Sequence, residues 1–395
     1  MNKALSLKEN FEWQPSLDRG FKRLSPILKW AGGKEQELKH IIPNLPSNFS
    51  NYYEPFVGGG AVYTAIDCEK YFINDKSEEL FSLYNSISSI NRESFFNAIE
   101  EIIHNWDLLT CVAENNNDFF ISTYKEYSAD LLSEDEIKKK MFSFIVDNHE
   151  QFNGMFSSTF NFNTLNFIKE LQINILRKIK RMKQLEKLHG ILHNDDIVAN
   201  IETSLKSAFY MHFRYIYNNI EKYKIKEPVK SAIFLYIRNF AYSGMFRYNS
   251  NGKFNVPYGG IGYNRKNFRK KINYLKSSEL YGLLKDTVIE NLDFEDFFEK
   301  HPPTSNDFVF LDPPYDSEFS TYANNEFTKN DQIRLANYLI NKCKGKWMLV
   351  IKNTELMRSL YFNSNLNIKQ FDKKYLVSFM NRNDKNTEHL LITNY

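Results

Sequence analysis

FVFLDPPYDSEF, Phe308 to Phe319, ends an apolar, strand-like run with an acid, two prolines and a tyrosine. Proline locks its own φ and drives the residue before it towards extended backbone, so Asp312 and Pro313 are both constrained and the turn lacks two backbone donors. The product is a stiff acceptor site. The Asp312 carboxylate and the Pro313 carbonyl can together take the two hydrogens of an exocyclic amine, with Pro314 stiffening the corner and Tyr315 placed to stack on the ring that bears the amine. An aromatic amine is a poor nucleophile because its lone pair is delocalised into the ring. Holding both hydrogens shifts the nitrogen towards tetrahedral geometry and frees that pair, with orientation supplying much of the acceleration.

A second chemical stretch lies near the start. In EPFVGGG, Glu54 to Gly60, a glycine cluster separates a strand-like piece from a helix-like one, which lets the backbone of Gly58 and Gly60 approach a ligand flanked by Glu54 and Phe56. YFIND then ends a second short strand at Asp75, an acid suited to accept hydrogen bonds from a ribose. GGG is not GxGxxG, and Gly60 to Asp75 is shorter than the roughly twenty residues of the dinucleotide fingerprint. A nucleoside without a pyrophosphate fits better. WAGGK does not complete GxxxxGK followed by Ser or Thr, so it is no phosphate loop.

Composition sets the frame for both. The chain has 395 residues, 42% hydrophobic and 25% charged, enough for a large core and two or three domains. No run of eighteen apolar residues occurs, and MNKALSLKENFEWQPSLDRG lacks the apolar segment of a signal peptide, so an intracellular protein without a membrane anchor is expected. Cys68, Cys111 and Cys343 lie too far apart for a CxxC site or a disulfide framework. His189 and His193 stand four apart near Asp195 and Asp196, but Gly190 between them weakens a helix, and no metal site is expected.

Three regions follow one another. About Ser25 to Ser86 alternates strand-like and helix-like pieces, including a glycine turn at AGGK and a helix over KEQELKHII. The middle, to about Lys285, is mainly helical. In RESFFNAIEEIIHNW, Phe95, Ile99, Ile102, Ile103 and Trp106 fall on one face and read as core, while AENNND and FNFNTLN read as loops. From about Asn291 the alternation resumes, with a DFVFL strand, a helix from Thr328, and strands at WMLVIKN, KYLVSF and HLLITNY. Neither α/β piece has strands enough to stand alone, so a single sheet interrupted by a large insertion is expected, with divisions at 1–86, 87–285 and 286–395.

Charge is uneven. Arg247 to Lys276 holds eight cations and no acid, against a net +3 for the whole chain, so the rest sums to −5. Tyr248, Phe254, Tyr258, Tyr263 and Phe268 interleave with those cations, and Asn251-Gly252 sits between strand-like pieces as a tight hairpin would. Such a face suits phosphates and grooves. A second basic run, ILRKIKRMKQLEK (Ile175 to Lys187), is either a further phosphate contact or an ordinary solvated helix face.

In KWAGGK, EPFVGGG, the acid of IND at Asp75, RYNSNGKFNVPYG and LDPPY, taken in that order, the chain resembles the Dam-like adenine-N6 DNA methyltransferases of the alpha (D12) class. Residues 91–228 carry no part of the likeness. The resemblance implies a Rossmann-like α/β fold using S-adenosyl-L-methionine, with a large, mainly helical inserted target-recognition domain carrying a β-hairpin. It implies cofactor contacts at Trp30, Lys34, Glu54, Phe56, Gly58, Gly60, Asp75 and Asp312, chemistry at Asp312, Pro313, Pro314 and Tyr315, and DNA contacts at Arg247, Asn249, Lys253, Pro257 and Tyr258. For Tyr248 a structural role is expected. The substrate would be an adenine flipped out of double-stranded DNA. A monomer in a bacterial cytoplasm, nucleoid-associated on DNA, with or without a companion restriction endonuclease, is the corresponding expectation. Ser243 stands where enzymes acting on GATC often carry Asn, and GGIGYN replaces their usual basic residue, so the recognition sequence stays open between GATC and a different or longer site. Two further readings share these residues: a methyltransferase for RNA or a protein glutamine, and a DNA-binding protein without turnover.

Overall fold

A computed structural model of the chain describes residues 24–30, 32–315, 327–362, 364–374 and 386–395. Two compact units emerge, one running to Lys76 and resuming at Asp286, the other formed by Ser77–Lys285. The first division falls ten residues before the expected 86/87. The Glu78–Ser88 helix belongs with the helical unit because it packs on the Glu227–Phe240 and Ser278–Lys285 helices.

The α/β unit is built on β1 (Asn51–Glu54), β2 (Lys70–Asn74), β3 (Thr287–Glu290), β4 (Phe308–Leu311), β5 (Lys346–Lys352), β6 (Asn367–Lys374) and β7 (Asn386–Thr393). Their order in the sheet is β3-β2-β1-β4-β5-β7-β6. The first five run parallel, whereas β7 is antiparallel to both β5 and β6. Every residue of β4 is buried, as expected for a central parallel strand covered on both faces. One side of the sheet packs Tyr53, Val309, Trp347 and Leu349 against Phe297, Leu335 and Tyr361.

Sequence patterning found β1, β2, β4, β5 and β7. It missed β3 and the Phe294–Lys300 helix, because a four-residue edge strand with all its residues half-buried shows no alternation. Of the KYLVSF strand only Lys374, the end of β6, lies within the described residues. The helix expected over KEQELKHII narrows to Leu38–Ile41, since Pro43 follows in a 3₁₀ turn and has no N–H to extend it. The helix after Thr328 starts where expected: Thr328 and Asp331 close a reciprocal capping box on Lys329–Asn341.

Close backbone approach explains one glycine. The Gly59 carbonyl accepts from the Ile27 N–H at 2.9 Å, and a Cβ at Gly59 would sit 2.3 Å from the Leu28 carbonyl oxygen. Backbone cannot yield as a side chain can.

The helical unit packs the long helices Arg92–Asn115, Thr164–His189 and Asn194–Tyr217 with Glu227–Phe240. Phe95, Ile99, Ile102, Ile103 and Trp106 are all buried, and Trp106 lies 4.4 Å from Phe240 between ring centroids. His189 closes one long helix while His193 is the N-cap of the next, so the pair does not share a helical face. Fully buried His212 sits among Phe156, Phe167 and Phe213. Its Nδ1 meets the Asn166 amide at 3.1 Å, and its Nε2 has no hydrogen-bond partner among the described residues. Burial lowers its pKa to about 3.

Two outcomes are expected. Gly59→Ala should destabilise the chain by about 1–3 kcal/mol through overpacking against rigid backbone; an unchanged melting temperature would show that the approach is not so close. His212 titrates near 6.5 once unfolded, so between about pH 6.5 and 3 the unfolded chain holds a proton the folded one refuses, and stability is lost as pH falls through that window by about 1.4 kcal/mol per unit. Urea titrations of His212→Phe from pH 6.5 downwards should show that decline flattened, and a slope equal to the parent's would remove His212 as its source.

Candidate active site and hairpin

β1 ends at Glu54, β2 at Asn74 and β4 at Leu311, and these three strands are neighbours in the sheet. Strand order reverses between β1 and β4, and in open α/β sheets ligands bind in the crevice beyond the carboxyl ends at such a point. Buried Asn74 ties the exits together. Its amide donates to the carbonyls of Pro55 (3.0 Å) and Leu292 (3.1 Å), its Oδ1 accepts from the Leu292 N–H (2.8 Å), and its own carbonyl accepts from Val57 (3.0 Å). Gly58 and Gly60 both adopt left-handed φ, which glycine alone takes without strain, and the Gly58 N–H donates to Asp75 Oδ2 at 2.9 Å. Trp30 leans on this turn: a Cβ at Gly58 would lie 3.1 Å from its ring. Phe56, half-buried, meets Phe294 and, edge-on, Phe327.

On the neighbouring corner, Pro313 is buried, Pro314 exposed, and Asp312 and Tyr315 half-buried. Lys34, only 2% exposed, reaches Asp312 Oδ1 at 2.5 Å, the Tyr315 hydroxyl at 3.0 Å and the Gly32 carbonyl at 2.9 Å. Burial opposes its charge, but Asp312 and Tyr315 outweigh burial and hold the Lys34 pKa above the ordinary lysine value. One ammonium thus orients both the acceptor and the stacking ring. The Tyr315 ring also stands edge-on to buried His389 of β7 at 5.5 Å. From the Lys329–Asn341 helix, fully buried Gln332 donates to the Pro314 carbonyl at 2.7 Å. Two residues on, Arg334 bonds Asp331, Asp293 and Glu295, which ties this helix to the exit of β3. Glu54 is 2% exposed and accepts from the Tyr52 hydroxyl at 2.8 Å. Burial first, then the charges of Asp312 and Asp75, raise its pKa well above the carboxylate range.

All of Trp30, Lys34, Glu54, Phe56, Gly58, Gly60, Asp75 and Asp312 to Tyr315 therefore lie in the α/β unit around these strand ends. Sequence reasoning overlooked Asn74, Gln332 and His389. Asn74 stands beside Asp75 in IND and was within reach, whereas Gln332 and His389 sit in patterns that mark them only as polar positions on a helix and a strand.

Within the helical unit, residues 247–258 form a hairpin closed by the isolated bridge Tyr248↔Phe254, and a second isolated bridge, Ala241↔Tyr258, ties its end to the segment before it. Its tip corrects the expected two-residue turn. Such a turn needs left-handed backbone at both central residues, and only Gly252 has it, with φ +69°. The Asn249 side chain shapes the tip instead, its Oδ1 accepting from the N–H groups of Asn251 and Lys253 at 3.0 Å each. Tyr258 is 9% exposed, packs on Trp106 and Tyr210, and donates to buried Asn264 at 2.8 Å, so it is a core residue and offers no ring to a base. Tyr248 donates to Glu79 at 2.7 Å and meets the Tyr217 hydroxyl. Arg247, Lys253 and Pro257 are exposed, with Arg247 Nε on Asn255 Oδ1 at 3.3 Å. Ser243 has φ +52°, a region where Asn is commoner than Ser.

The hairpin hangs on one helix face. Tyr210, Arg214 and Asn218, spaced by four, bond the backbone of Phe254, Asn255 and Val256: the Tyr210 hydroxyl and Arg214 reach the Val256 carbonyl at 3.1 and 3.2 Å, and the Asn218 amide pairs with both the N–H (2.8 Å) and the C=O (2.9 Å) of Phe254. Asn218 takes the place of a strand neighbour.

Comparison with known proteins converges on one chemistry. The family described as D12 class N6 adenine-specific DNA methyltransferase matches residues 30–167 and 160–377. The type II methyltransferase M.CviBI of Paramecium bursaria Chlorella virus NC1A is 28% identical over 94% of this chain and 100% of its own length. M.MjaIII, a type II methyltransferase of Methanocaldococcus jannaschii, is also 28% identical, over 94% of this chain and 99% of its own. The DNA adenine methylase of Escherichia coli K12 is 23% identical over 88% and 87% respectively. With most of its length matched, this chain belongs to the D12 class of N6 adenine-specific DNA methyltransferases.

Proposed function

We propose that the protein methylates N6 of an adenine flipped out of double-stranded DNA, with S-adenosyl-L-methionine as donor and the 247–258 hairpin reading the sequence. The observation that carries this reading is the Asp312-Pro313 corner at the switch point of the sheet, beside the glycine turn and Asp75. The donor set fits the cofactor. Asp312 and Asp75 are close enough to Glu54 for their charges to raise its pKa, and Lys34 pairs with Asp312, so the two aspartates offer negative charge suited to a sulfonium and an ammonium group. Asp75 is placed for ribose hydroxyls, and Trp30 and Phe56 supply half-buried aromatic walls. When bound, S-adenosyl-L-methionine supplies a methyl group already activated by the sulfonium charge.

The chain's own residues do the rest. Lys34 fixes the Asp312 carboxylate, and Gln332 fixes the proline corner through the Pro314 carbonyl. Asp312 and the Pro313 carbonyl then accept hydrogen bonds from the two N6 hydrogens, leaving the nitrogen lone pair directed away from them; N6 keeps one of these hydrogens after methylation, and the other leaves as a proton past these acceptors to solvent. Tyr315, braced by Lys34 and His389, stacks on the extruded ring, which helps offset an unstacking cost of a few kcal/mol. Exposed Arg247 is suited to fork onto guanine O6 and N7, and Lys253 to meet phosphate. Asn249 and Tyr258 shape the hairpin from within. The protein acts on the DNA of the cell that makes it. A companion endonuclease with the same site is a corollary, suggested by relatives that are named type II methyltransferases.

Asp312→Asn should lower single-turnover methylation of plasmid DNA at least about 100-fold and, by leaving buried Lys34 without its ion partner, cost about 3 kcal/mol of stability. Turnover close to the parent's would sink the role given to Asp312. Arg247→Ala should cost about 1–3 kcal/mol at the preferred site while changing binding to random sequence far less. Mapping methylated adenines in DNA from an expressing host supplies that site; equal losses on every sequence would reduce Arg247 to a phosphate contact.

A further inference from the structure

The basic run on the Thr164–His189 helix divides in two. Lys180 pairs with Glu134 and Lys183 with Asp130 at 2.6 Å, so these two are neutralised by neighbouring elements of their own unit. Arg177, Lys178 and Arg181 line an open cleft of about 520 Å³, whose lining also includes the already paired Lys180. Its lining contains no Asp or Glu. Among the described residues Arg177 and Arg181 are held by neutral acceptors, Asn174 Oδ1 at 2.6 Å and Gln184 Oε1 at 3.3 Å, which orient the guanidinium groups without discharging them. Nearby acids act on other cations: Glu170 on Arg214, and Glu202 on Lys206 at 2.7 Å. Burial and the charge of Arg177 together lower the Lys178 pKa, the mark of a cation in want of an anion.

The opposite wall is uncharged, made of Thr203, Ser204 and Ser207, whose hydroxyl protons are spent on Ala199, Ile201 and Asn174, and the cleft reaches Gly260, two residues beyond the hairpin's last bridge. Three cations on one wall of an acid-free cleft describe a phosphate site. Residues 177 to 181 rise about 6 Å along the helix, close to the advance of two nucleotides along the duplex axis, roughly 3.4 Å each. We propose that this cleft binds the sugar–phosphate backbone of duplex DNA outside the sequence read by the hairpin. The inference rests on the proposed function only in taking duplex DNA as the substrate.

The experiment measures cofactor-free binding of the full chain to random-sequence duplex across a series of potassium chloride concentrations. In Arg177→Gln/Lys178→Gln/Arg181→Gln the slope of log affinity against log salt should be shallower by about 2–3, since each lost phosphate contact removes about 0.9. The charge-keeping variant Arg177→Lys/Lys178→Arg/Arg181→Lys should hold the parent's slope, and duplex should displace the probe better than single-stranded RNA or tripolyphosphate. An unchanged slope in the glutamine variant overturns the proposal, as does an equal loss in the charge-keeping variant or stronger competition by RNA or tripolyphosphate. No methyl transfer enters the readout, so failure of the proposed reaction and failure of this site register separately.

Discussion

Tyr52 and Tyr53 of β1 lie beside Phe308 and Val309 of β4, and the contact continues below them, where Asn51 donates to Asp307 at 2.7 Å across 256 residues of chain. The glycine turn leaves one of these strands and the proline corner leaves the other. Parallel register therefore sets the distance between the nucleoside pocket and the acceptor corner, and no local feature of either loop does so. Because β4 is buried on both faces, slipping the register by one residue would send each of its side chains into packing shaped for its neighbour, which makes the pairing strongly specified.

Around that pairing, single buried polar side chains act as fasteners. Asn74 bonds three exit segments, Lys34 bonds an acid, a phenol and a carbonyl, and Gln332 grips the corner from behind. Each of these bonds is worth only about 1 kcal/mol net. Leaving such a group unpaired inside the protein costs more, so the fasteners buy geometric definition rather than bulk stability. Lys34 has the tightest constraint: its burial disfavours charge, and the Asp312 pair is what keeps it cationic.

The helical unit solves a different problem. A hairpin with only isolated bridges has little ladder to support it. Here a helix supplies the missing partners, with Tyr210, Arg214 and Asn218 holding one hairpin strand by its backbone. Its exposed side chains stay available because the support comes from behind. Asn249 Oδ1 is spent on shaping the tip, and the Tyr258 hydroxyl is buried and spent at the base.

Much of the α/β unit was legible from residues alone. Stiff DPPY after an apolar strand, glycines after another, and the Thr328 cap each rest on local backbone chemistry that a sequence displays directly. Short β3 escaped because its residues show no period, and the expected 86/87 boundary cuts the helix Glu78–Ser88, whose place depends on packing. Which of Arg177 to Lys187 are discharged by Glu134 and Asp130, and which face an acid-free cleft, likewise depends on neighbours far along the chain. Residue types and their order thus determined the chemistry on offer and the fold class, through φ restriction and hydrophobic period. Only the tertiary structure decided which polar atoms are spent on holding the framework and which remain for a ligand, because a hydrogen bond or ion pair is settled by proximity in space and not by spacing in sequence.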